Sequence, residues 1–278
     1  MSQNDILLCG LPESGKTTFL AALWYLLSQR EMPTTLALRA LPHQREYLND
    51  ISRKWSRFIP ITRTPGEEVH EISLQLQVHD AVIDLHVPDM SGETWEGLWA
   101  TRGCEGHVVE WIQRASGIML FLHSDKVRPP LDIMTHNAMI EAVGGTPESG
   151  NSIEWSPKKT PTQVILVDVL QALSLSPFGK EGRLLAVVVS AWDKAEDTGM
   201  TPDHFLKVHL PLLHQFIKCS GCFSEIKVFG VSAQGGDLRS ESDSERLKAQ
   251  DVPSERIRVV EENVTTHDLT VPIHWLMK

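Results

Sequence analysis

The stretch "DILLCGLPESGKTTFLAAL" at residues 5–23 runs an apolar strand pattern into a glycine-rich loop and then into an apolar helical pattern. The loop has the spacing G-x4-G-K-T over residues 10–17, and its glycines let backbone N–H groups turn toward a phosphate. A strand predicted over Ile6–Cys9 leads into the loop, and a helix predicted over Thr17–Leu27 adds the favourable dipole of its N-terminus. The stretch therefore predicts a P-loop, which is a binding site for a nucleoside triphosphate.

Two side chains of this loop have predicted tasks of their own. Lys16 is expected to reach the β- and γ-phosphates, which makes it a candidate catalytic residue, and Thr17 is expected to place its hydroxyl on Mg²⁺. The predicted phosphate-binding set is Gly10, Glu13, Ser14, Gly15, Lys16, Thr17 and Thr18. A nucleotide and Mg²⁺ are thus the expected ligands.

The composition is that of an ordinary soluble globular protein, with 41% hydrophobic and 22% charged residues in a chain of 278. The net charge of −10 argues against a nucleic-acid-binding surface, which would need clustered Lys and Arg. No apolar run reaches the roughly 18 residues of a membrane span, and the N-terminus lacks the residue order of a signal peptide. Because four cysteines are too few for a disulfide scaffold, we expect a cytoplasmic protein.

Alternating strand and helix patterns predict an α/β fold with a doubly wound, mostly parallel sheet. Two runs separated by two residues, "EISLQLQV" at 71–78 and "AVIDLHV" at 81–87, predict an antiparallel hairpin that supplies the one antiparallel strand. Further strands are predicted at 117–123, 184–190 and 225–232, and helical patterns occur at 36–59, 94–114, 162–175 and 201–218.

We expect residues 1–278 to form a single domain. Two stretches exceed a minimal α/β domain, at about 125–161, which contains PP, GG and GN, and at about 236–255, which is rich in Ser, Asp, Glu and Arg. Connections of this length are usually functional or disordered. We interpret both as insertions and not as linkers.

The segment "LHVPDMSGE" at 85–93 carries a second phosphate-side signal. Asp89 follows a predicted strand, as a carboxylate on Mg²⁺ must, and Gly92 lies three residues later. In switch NTPases the glycine of this Asp-x-x-Gly pattern senses the γ-phosphate through its backbone N–H. Between the two phosphate elements, in "IPITRTPGEEV" at 59–69, either Thr62 or Thr64 is expected to add a hydroxyl to Mg²⁺, with Thr62 the leading candidate.

A base-side signal follows the strand at 184–190. GTPases read guanine with an Asn/Thr-Lys-x-Asp signature, and "SAWD" at 190–193 matches it fully only at Asp193, which would accept from guanine N1–H and the exocyclic amine. Ser190 is a small polar substitute, and Ala191 lacks the lysine stem that packs on the base. Ser232-Ala233 matches the Ser-Ala motif whose backbone N–H contacts guanine O6. Alone, Asp193 would be interpreted as a turn or helix-start residue; in order with the other motifs it is a base reader.

In motif order, residues 5–235 resemble the translation-factor-related (TRAFAC) class of P-loop GTPases with a Ras-like core. Within that class, "GLPESGKTTFLAALW", "VPDMSGE" and the degenerate base motif are most similar to the bacterial double-GTPase-type domains of conflict and defence gene systems. The resemblance implies a Ras-like G domain with insertions that binds GTP or GDP with Mg²⁺ and acts as a nucleotide-dependent switch. It also implies that "LTVPIHWL" at 269–276 begins the closing helix.

The resemblance also bears on the rate of hydrolysis. Ras-like proteins often place a water-orienting Gln after the sensor glycine, and this chain has Glu93 there. A carboxylate accepts a hydrogen bond from water but cannot donate one to the γ-phosphate, so slow intrinsic hydrolysis is expected, with Gly92, Glu93 and Thr62 joining Lys16 as catalytic candidates. Arg63 and Arg102 are the arginines considered for an arginine finger, and neither is assigned.

We therefore expect a GTP-binding protein that slowly hydrolyses GTP. Two alternatives stay open, an ATP-hydrolysing P-loop enzyme in which Asp193 is incidental, and a binding or assembly module with little turnover. Trp95 and Trp99 are spaced i, i+4 directly after the predicted γ-phosphate sensor. They either pack the core or form an exposed aromatic pair through which a protein partner binds, because aromatic residues concentrate at interface hot spots.

Overall fold

The computed structural model describes residues 4–42, 44–61, 70–78, 81–89, 92–130, 133–142, 144 and 159–278. Within these ranges the chain forms nine strands: β1 (Asn4–Cys9), β2 (Ala37–Ala40), β3 (His70–Val78), β4 (Ala81–Asp89), β5 (Gly117–His123), β6 (Leu184–Ser190), β7 (Ile226–Ser232), β8 (Arg258–Glu261) and β9 (Val264–Thr266). They form one sheet in the order β2-β3-β4-β1-β5-β6-β7-β8-β9.

The helices of the described ranges are α1 (Lys16–Gln29), α2 (Arg45–Ser56), α3 (Gly92–Thr101), α4 (Gly106–Arg114), α5 (Ile133–Ala142), α6 (Thr162–Ser174), α7 (Pro202–His209), α8 (Pro211–Cys219), α9 (Glu241–Lys248) and α10 (Thr270–Trp275). Short 3₁₀ turns lie at Trp192–Lys194, Glu196–Thr198 and Pro253–Arg256. None of these helices combines the length and the apolar composition that crossing a lipid bilayer requires.

The centre of the sheet is parallel. β1 pairs with both β4 and β5, and β6 and β7 follow in parallel register. The carboxyl ends of five neighbouring strands therefore meet at one edge, which is where open α/β sheets bind their ligands. β3 and β4 form the predicted hairpin, with Val78 paired to Ala81 across a two-residue connection. The expected α/β fold with a mostly parallel sheet is confirmed.

Both faces of the central strands are covered by helices. In β1, Ile6 and Leu8 belong to one buried cluster, and Leu7 and Cys9 belong to another. The first cluster includes side chains of α1, α2 and α10, and the second includes side chains of α3, α4, α6, α7 and α8. Because both faces are buried, β5 and β6 are continuous apolar runs and do not alternate with polar residues.

Three short strands lie outside the predicted set. The helical pattern predicted at 36–59 is wrong over its first part, where β2 forms. The helix α2 begins only at Arg45. β8 and β9 extend the sheet beyond β7 in antiparallel register, so the strand predicted at 225–232 ends the parallel set but not the sheet. Strands of three or four residues are too short to show a periodic hydrophobic pattern.

The helical pattern predicted at 94–114 is two helices and not one. α3 ends at Thr101, and Arg102 adopts a left-handed conformation with φ 59° before α4 begins. The two stretches interpreted as insertions contain helices as well, α5 in the first and α9 in the second. α9 buries Leu247 and is otherwise polar, so its sequence carries no apolar periodicity to predict it.

Candidate functional site

A cavity of about 550 Å³ opens at the carboxyl edge of the parallel strands. The P-loop, the first residues of α1 and α3, residues 59–61 and the loops after β5, β6 and β7 form its wall. The residues singled out in the sequence that line it are Glu13, Ser14, Gly15, Lys16, Thr17, Thr18, Gly92, Glu93, Ser190, Ala191, Asp193 and Ala233. Its volume is in the usual range for a small-molecule site, about 300–1,000 Å³.

Lys16 is the first residue of α1 and is bonded back into the P-loop. Its Nζ donates to the carbonyl oxygen of Gly10 at 2.7 Å, to that of Leu11 at 3.3 Å and to Ser14 Oγ at 3.3 Å. The residue is 6% exposed, so its ammonium group is held inside the loop and not in bulk solvent. A phosphate entering the loop would therefore meet a positioned positive charge at a helix N-terminus.

The P-loop contacts the end of β6 through Gly15 and Ser190. Gly15 has a φ of +93°, and a Cβ at this position would lie 2.9 Å from Ser190 Oγ. The Ser190 hydroxyl donates to the carbonyl oxygen of Ser14 at 2.7 Å. From the sequence, Ser190 is interpreted only as a small polar substitute in the base motif. In the structure, its hydrogen bond joins the P-loop to the strand that precedes Asp193.

The start of α3 packs directly on the P-loop. Gly92 is the first residue of α3 and is buried, and a Cβ on it would lie 2.2 Å from the Pro12 nitrogen and 2.3 Å from Pro12 Cα. No side chain fits between these two backbones. The glycine of the Asp-x-x-Gly pattern is therefore a steric requirement here, and its backbone touches the loop predicted to hold the phosphates.

Replacing Gly92 by Ala is expected to lower the free energy of unfolding by about 1–3 kcal/mol, because the added methyl must push α3 away from Pro12. Gly97 in the same helix is the matched control, since a Cβ there meets nothing within 4 Å. Gly97→Ala should be neutral or stabilising by up to about 1 kcal/mol. Urea unfolding of both variants makes the comparison, and equal stability of the two would contradict the contact.

Two strand ends meet at the side of the cavity where the base is predicted to bind. Ser232 Oγ donates to Asp193 Oδ1 and accepts the backbone N–H of Gly235 at 3.0 Å. Asp193 is half-buried on the cavity wall. The arrangement therefore holds one oxygen of the carboxylate in place through the first residue of the predicted Ser-Ala motif.

Ala233, the second residue of that motif, is buried, and its carbonyl oxygen accepts the indole N–H of Trp55 at 2.9 Å. Ala191 occupies the position of the missing lysine in a left-handed conformation with φ 51°, and its carbonyl oxygen accepts from Ser124 Oγ at 2.7 Å. The backbone around the degenerate base motif is thus anchored by hydrogen bonds, although Ala191 itself presents only a methyl group.

Two lysines that the sequence did not single out also line the cavity. Lys194 Nζ lies 2.8 Å from Asp125 Oδ2 and 3.1 Å from Asp237 Oδ2, so it joins the loops that follow β5, β6 and β7. Lys126 forms an ion pair with Glu13 of the P-loop. The partners are 69, 43 and 113 residues apart in the chain, so no local sequence pattern could have revealed these pairs.

The ion pairs shift protonation equilibria at the cavity wall. The hydrogen bond to Lys194 holds the pKa of Asp125 below its usual value, and the same bond raises the pKa of Lys194. His123 also lines the cavity, and burial lowers its pKa, helped by the charges of Lys126 and Lys194. Its imidazole is therefore neutral at pH 7 and adds no charge to this wall.

Two of the predicted Mg²⁺ ligands, Thr17 and Asp89, lie within the described residues. Thr17 lines the cavity. Asp89 ends β4, which runs parallel beside β1, so its backbone lies at the same sheet edge as the P-loop. The two switch-I alternatives, Thr62 and Thr64, lie outside the described residues.

The arginines considered for an arginine finger do not gain support. Arg63 lies outside the described residues. Arg102 follows α3 and forms an ion pair with Asp168 of α6. Arg102 does not line the cavity, and Arg63 stays unassigned.

The interpretation of Trp95 and Trp99 as an exposed aromatic pair is wrong. Trp95 is fully buried and Trp99 is 8% exposed, and both belong to the core cluster that includes Ile165 and Leu166 of α6. The apolar side of α3 is turned onto α6, which satisfies the i, i+4 spacing by packing. A protein partner at this region stays a prediction, but it would not bind these two side chains in the described conformation.

A family model described as Double-GTPase 1 matches residues 7–276. Among solved structures, the chain is similar to Methanosarcina barkeri Roco2 RocCORdC bound to GDP, at 14% identity and a TM-score of 0.34 over 89% of this chain and 48% of that one. It is also similar to the bacterial selenocysteine-specific elongation factor EF-Sec, at 13% identity and a TM-score of 0.36 over 90% of this chain and 30% of that one. The chain thus spans less than half the length of either. A comparison with curated protein sequences gives no match.

Proposed function

Because this chain belongs to the Double-GTPase 1 family, we propose that it binds GTP in the 550 Å³ cavity, hydrolyses it slowly to GDP and changes conformation as it does so. One observation carries the proposal. The same cavity is lined by the P-loop with Lys16 and by Asp193 and Ala233, the residues predicted to read guanine. A cavity with a phosphate end and a base end would hold a whole nucleotide and select its base.

At the phosphate end, Lys16 and the backbone N–H groups at the start of α1 would bind the β- and γ-phosphates. Thr17 and Asp89 would hold Mg²⁺, with Thr62 as the proposed third protein ligand. A hydroxyl on the cavity wall and a carboxylate residue at the adjoining strand end are the oxygen donors that Mg²⁺ prefers. Bound Mg²⁺ would neutralise charge on the phosphates.

At the base end, the Asp193 carboxylate would accept guanine N1–H and the exocyclic amine, while the backbone N–H of Ala233 would donate to O6. Ser232 supports this geometry by donating to Asp193 Oδ1, since a carboxylate oxygen has a second lone pair for the base. Because Ala191 offers no lysine stem to cover the base, we expect weaker guanine binding than in a GTPase with the full motif.

Hydrolysis is proposed to be slow because Glu93 stands where a water-orienting residue is expected. Glu93 is exposed in the first turn of α3 and lines the cavity beside Gly92. Its carboxylate would accept from the attacking water without donating to the γ-phosphate. The contact of Gly92 with the P-loop supports a switch, because a γ-phosphate that engages Gly92 would act on the position of α3.

We propose that residues 1–278 form a single cytoplasmic GTPase domain with insertions at about 125–161 and 236–255, and that the domain works by a TRAFAC-type mechanism. We also propose that a protein partner recognises its nucleotide state, and that the protein has a role in a bacterial conflict or defence system. The role in a conflict or defence system is supported by the sequences of the P-loop and of residues 87–93, which resemble those of such domains. Identifying the neighbouring genes would test this role.

Single-turnover hydrolysis tests the activity. With protein in excess over γ-labelled nucleotide and Mg²⁺ present, GTP should release phosphate in a slow single exponential and ATP should release less. Faster release from ATP would favour the ATP-hydrolysing alternative. Binding of GTP without measurable release from either nucleotide would favour an assembly module.

A further inference from the structure

Trp55, a residue of α2, lies outside the cavity lining but is hydrogen-bonded to Ala233, which is part of that lining. Trp55 is 1% exposed, and its indole Nε1 donates to the carbonyl oxygen of Ala233 at 2.9 Å. This bond joins residues 178 positions apart, and both partners are buried. A buried N–H···O bond of this kind fixes the orientation of the peptide that follows Ala233, because leaving either group unpaired there is costly.

The indole ring is itself held by a buried cation. The Arg256 guanidinium carbon lies 4.3 Å from the centroid of the Trp55 ring and 4.2 Å from the centroid of the Phe58 ring, so it is stacked between two aromatic faces. Arg256 is 2% exposed, and burial lowers its pKa to about 10, which leaves it charged at pH 7. Its Nε donates to the carbonyl of Pro253.

The two terminal nitrogens of Arg256 have no hydrogen-bond partner among the residues that the structure describes. The guanidinium is therefore held by the two rings, by its hydrogen bond to Pro253 and by the negative charge of Glu31. The backbone of Arg256 also packs closely on the loop at 232–235, named the base loop, since a Cβ added to Gly235 would lie 2.8 Å from the Arg256 carbonyl oxygen. Arg256, Trp55 and the loop at 232–235 thus form one packed unit.

We propose that Trp55 is a positioning residue for guanine recognition: supported by Arg256, its indole N–H anchors the Ala233 carbonyl and so restrains the short loop whose Ala233 N–H would face guanine O6, while the Ser232 hydroxyl holds the same loop through the Gly235 N–H. The inference rests on the proposed function, which assigns Ala233 to O6. On this proposal, Trp55 of α2 controls how strongly the site selects for O6 of the base. Selection for the exocyclic amine, which Asp193 would recognise, is controlled separately by the hydrogen bond from Ser232 to Asp193.

The test uses two altered bases. In 6-thio-GDP the O6 acceptor is replaced by sulfur, a weak acceptor, whereas IDP keeps O6 and lacks the exocyclic amine. Trp55→Phe removes the indole N–H and keeps an aromatic ring beside Arg256. It should lower the GDP to 6-thio-GDP affinity ratio about threefold or more, because one oriented hydrogen bond is lost, and should leave the GDP to IDP ratio within about twofold of wild type.

Trp24→Phe is the matched control. Trp24 is also buried in the first core cluster, and its indole donates to Asn49 Oδ1 at 2.8 Å, away from the base loop. It should leave both ratios unchanged. If Trp24→Phe lowers the 6-thio ratio as much as Trp55→Phe does, or if Trp55→Phe leaves that ratio at the wild-type value, the positioning role is overturned.

Arg256→Met is a second variant, which keeps the test decisive if Trp55→Phe fails to fold. Removing the cation that lies over the Trp55 and Phe58 rings should lower the GDP to 6-thio-GDP ratio in the same direction as in Trp55→Phe, and thermal unfolding checks that the variant stays folded. An unchanged ratio in Arg256→Met overturns the supporting role of the cation. If wild type itself binds 6-thio-GDP as well as GDP, Ala233 is not an O6 reader, and that part of the proposed function fails together with the inference.

Discussion

Replacing Lys16 by Ala is expected to lower GTP affinity at least about a hundredfold while the chain stays folded. Charge-assisted hydrogen bonds to phosphate are worth about 1.5–3 kcal/mol each, and Lys16 is proposed to bind two phosphates. Two such bonds correspond to about a hundredfold or more in the dissociation constant. Gly10, Leu11 and Ser14 hold the Lys16 ammonium within the P-loop, where the proposal places the phosphates.

Calorimetric titration with GTP and Mg²⁺, together with circular dichroism, measures both halves of this expectation. Lys54→Ala is the matched control, because Lys54 is also a paired lysine, bonded to Asp50 on α2, but does not line the cavity. Its GTP affinity should equal that of wild type. Unchanged GTP affinity in a folded Lys16→Ala variant would remove the P-loop assignment.

Asp193→Asn is expected to lower GTP affinity at least about tenfold and to improve binding of XTP. The Ser232 hydroxyl donates to one Asp193 oxygen, and an asparagine would keep that bond by turning its carbonyl oxygen to Ser232. Its NH₂ group would then face the exocyclic amine of guanine, and mismatching a buried charge-assisted bond costs about 1.5–3 kcal/mol. Xanthine carries a carbonyl where guanine carries the amine, so the asparagine NH₂ would find an acceptor there.

Competition among GTP, XTP and ATP for wild type and variant measures this exchange. Asp237→Asn is the matched control: Asp237 also lines the cavity, but it is paired with Lys194 and is not predicted to read the base. It should leave the GTP to XTP ratio unchanged. ATP binding should barely respond to either change. An unchanged GTP to XTP ratio in Asp193→Asn would mean that Asp193 does not read the base.

The central fold could be predicted because its signals are local. The apolar runs of β5 and β6, the two-residue connection between Val78 and Ala81 and the glycine spacing of the P-loop are all visible within about ten residues of sequence. The strands at the edges of the sheet could not be predicted. β2, β8 and β9 form because they pair with longer strands, and at three or four residues they are too short to show a sequence pattern of their own.

The candidate site shows the same division. The spacing of Lys16 within its loop predicts the phosphate end, and Asp193 follows a recognisable strand, so sequence alone singles out both residues, and both line the cavity. The contacts that organise the site were not, because they join distant segments. The bond from Trp55 to Ala233 and the bridge from Lys194 to Asp125 and Asp237 exist only once the sheet brings its loops to one edge.

Trp95 and Trp99 illustrate a limit of pattern alone. Aromatic residues spaced i, i+4 mark one side of a helix, but the pattern does not tell whether that side meets solvent or another element. In the structure it meets α6, and both rings are buried. The sequence of α6 gave an apolar pattern as well, yet nothing in either segment alone paired the two.

The central claim is that the cavity selects a guanine nucleotide, and competition between GTP and ATP for the wild-type protein tests it most directly. With Mg²⁺ present and a fluorescent GDP as the displaced probe, GTP should compete at least about tenfold better than ATP, because the donors of guanine, and not those of adenine, match the acceptors that Asp193 is proposed to offer. A wild-type protein that binds ATP as well as GTP, or better, would contradict the account.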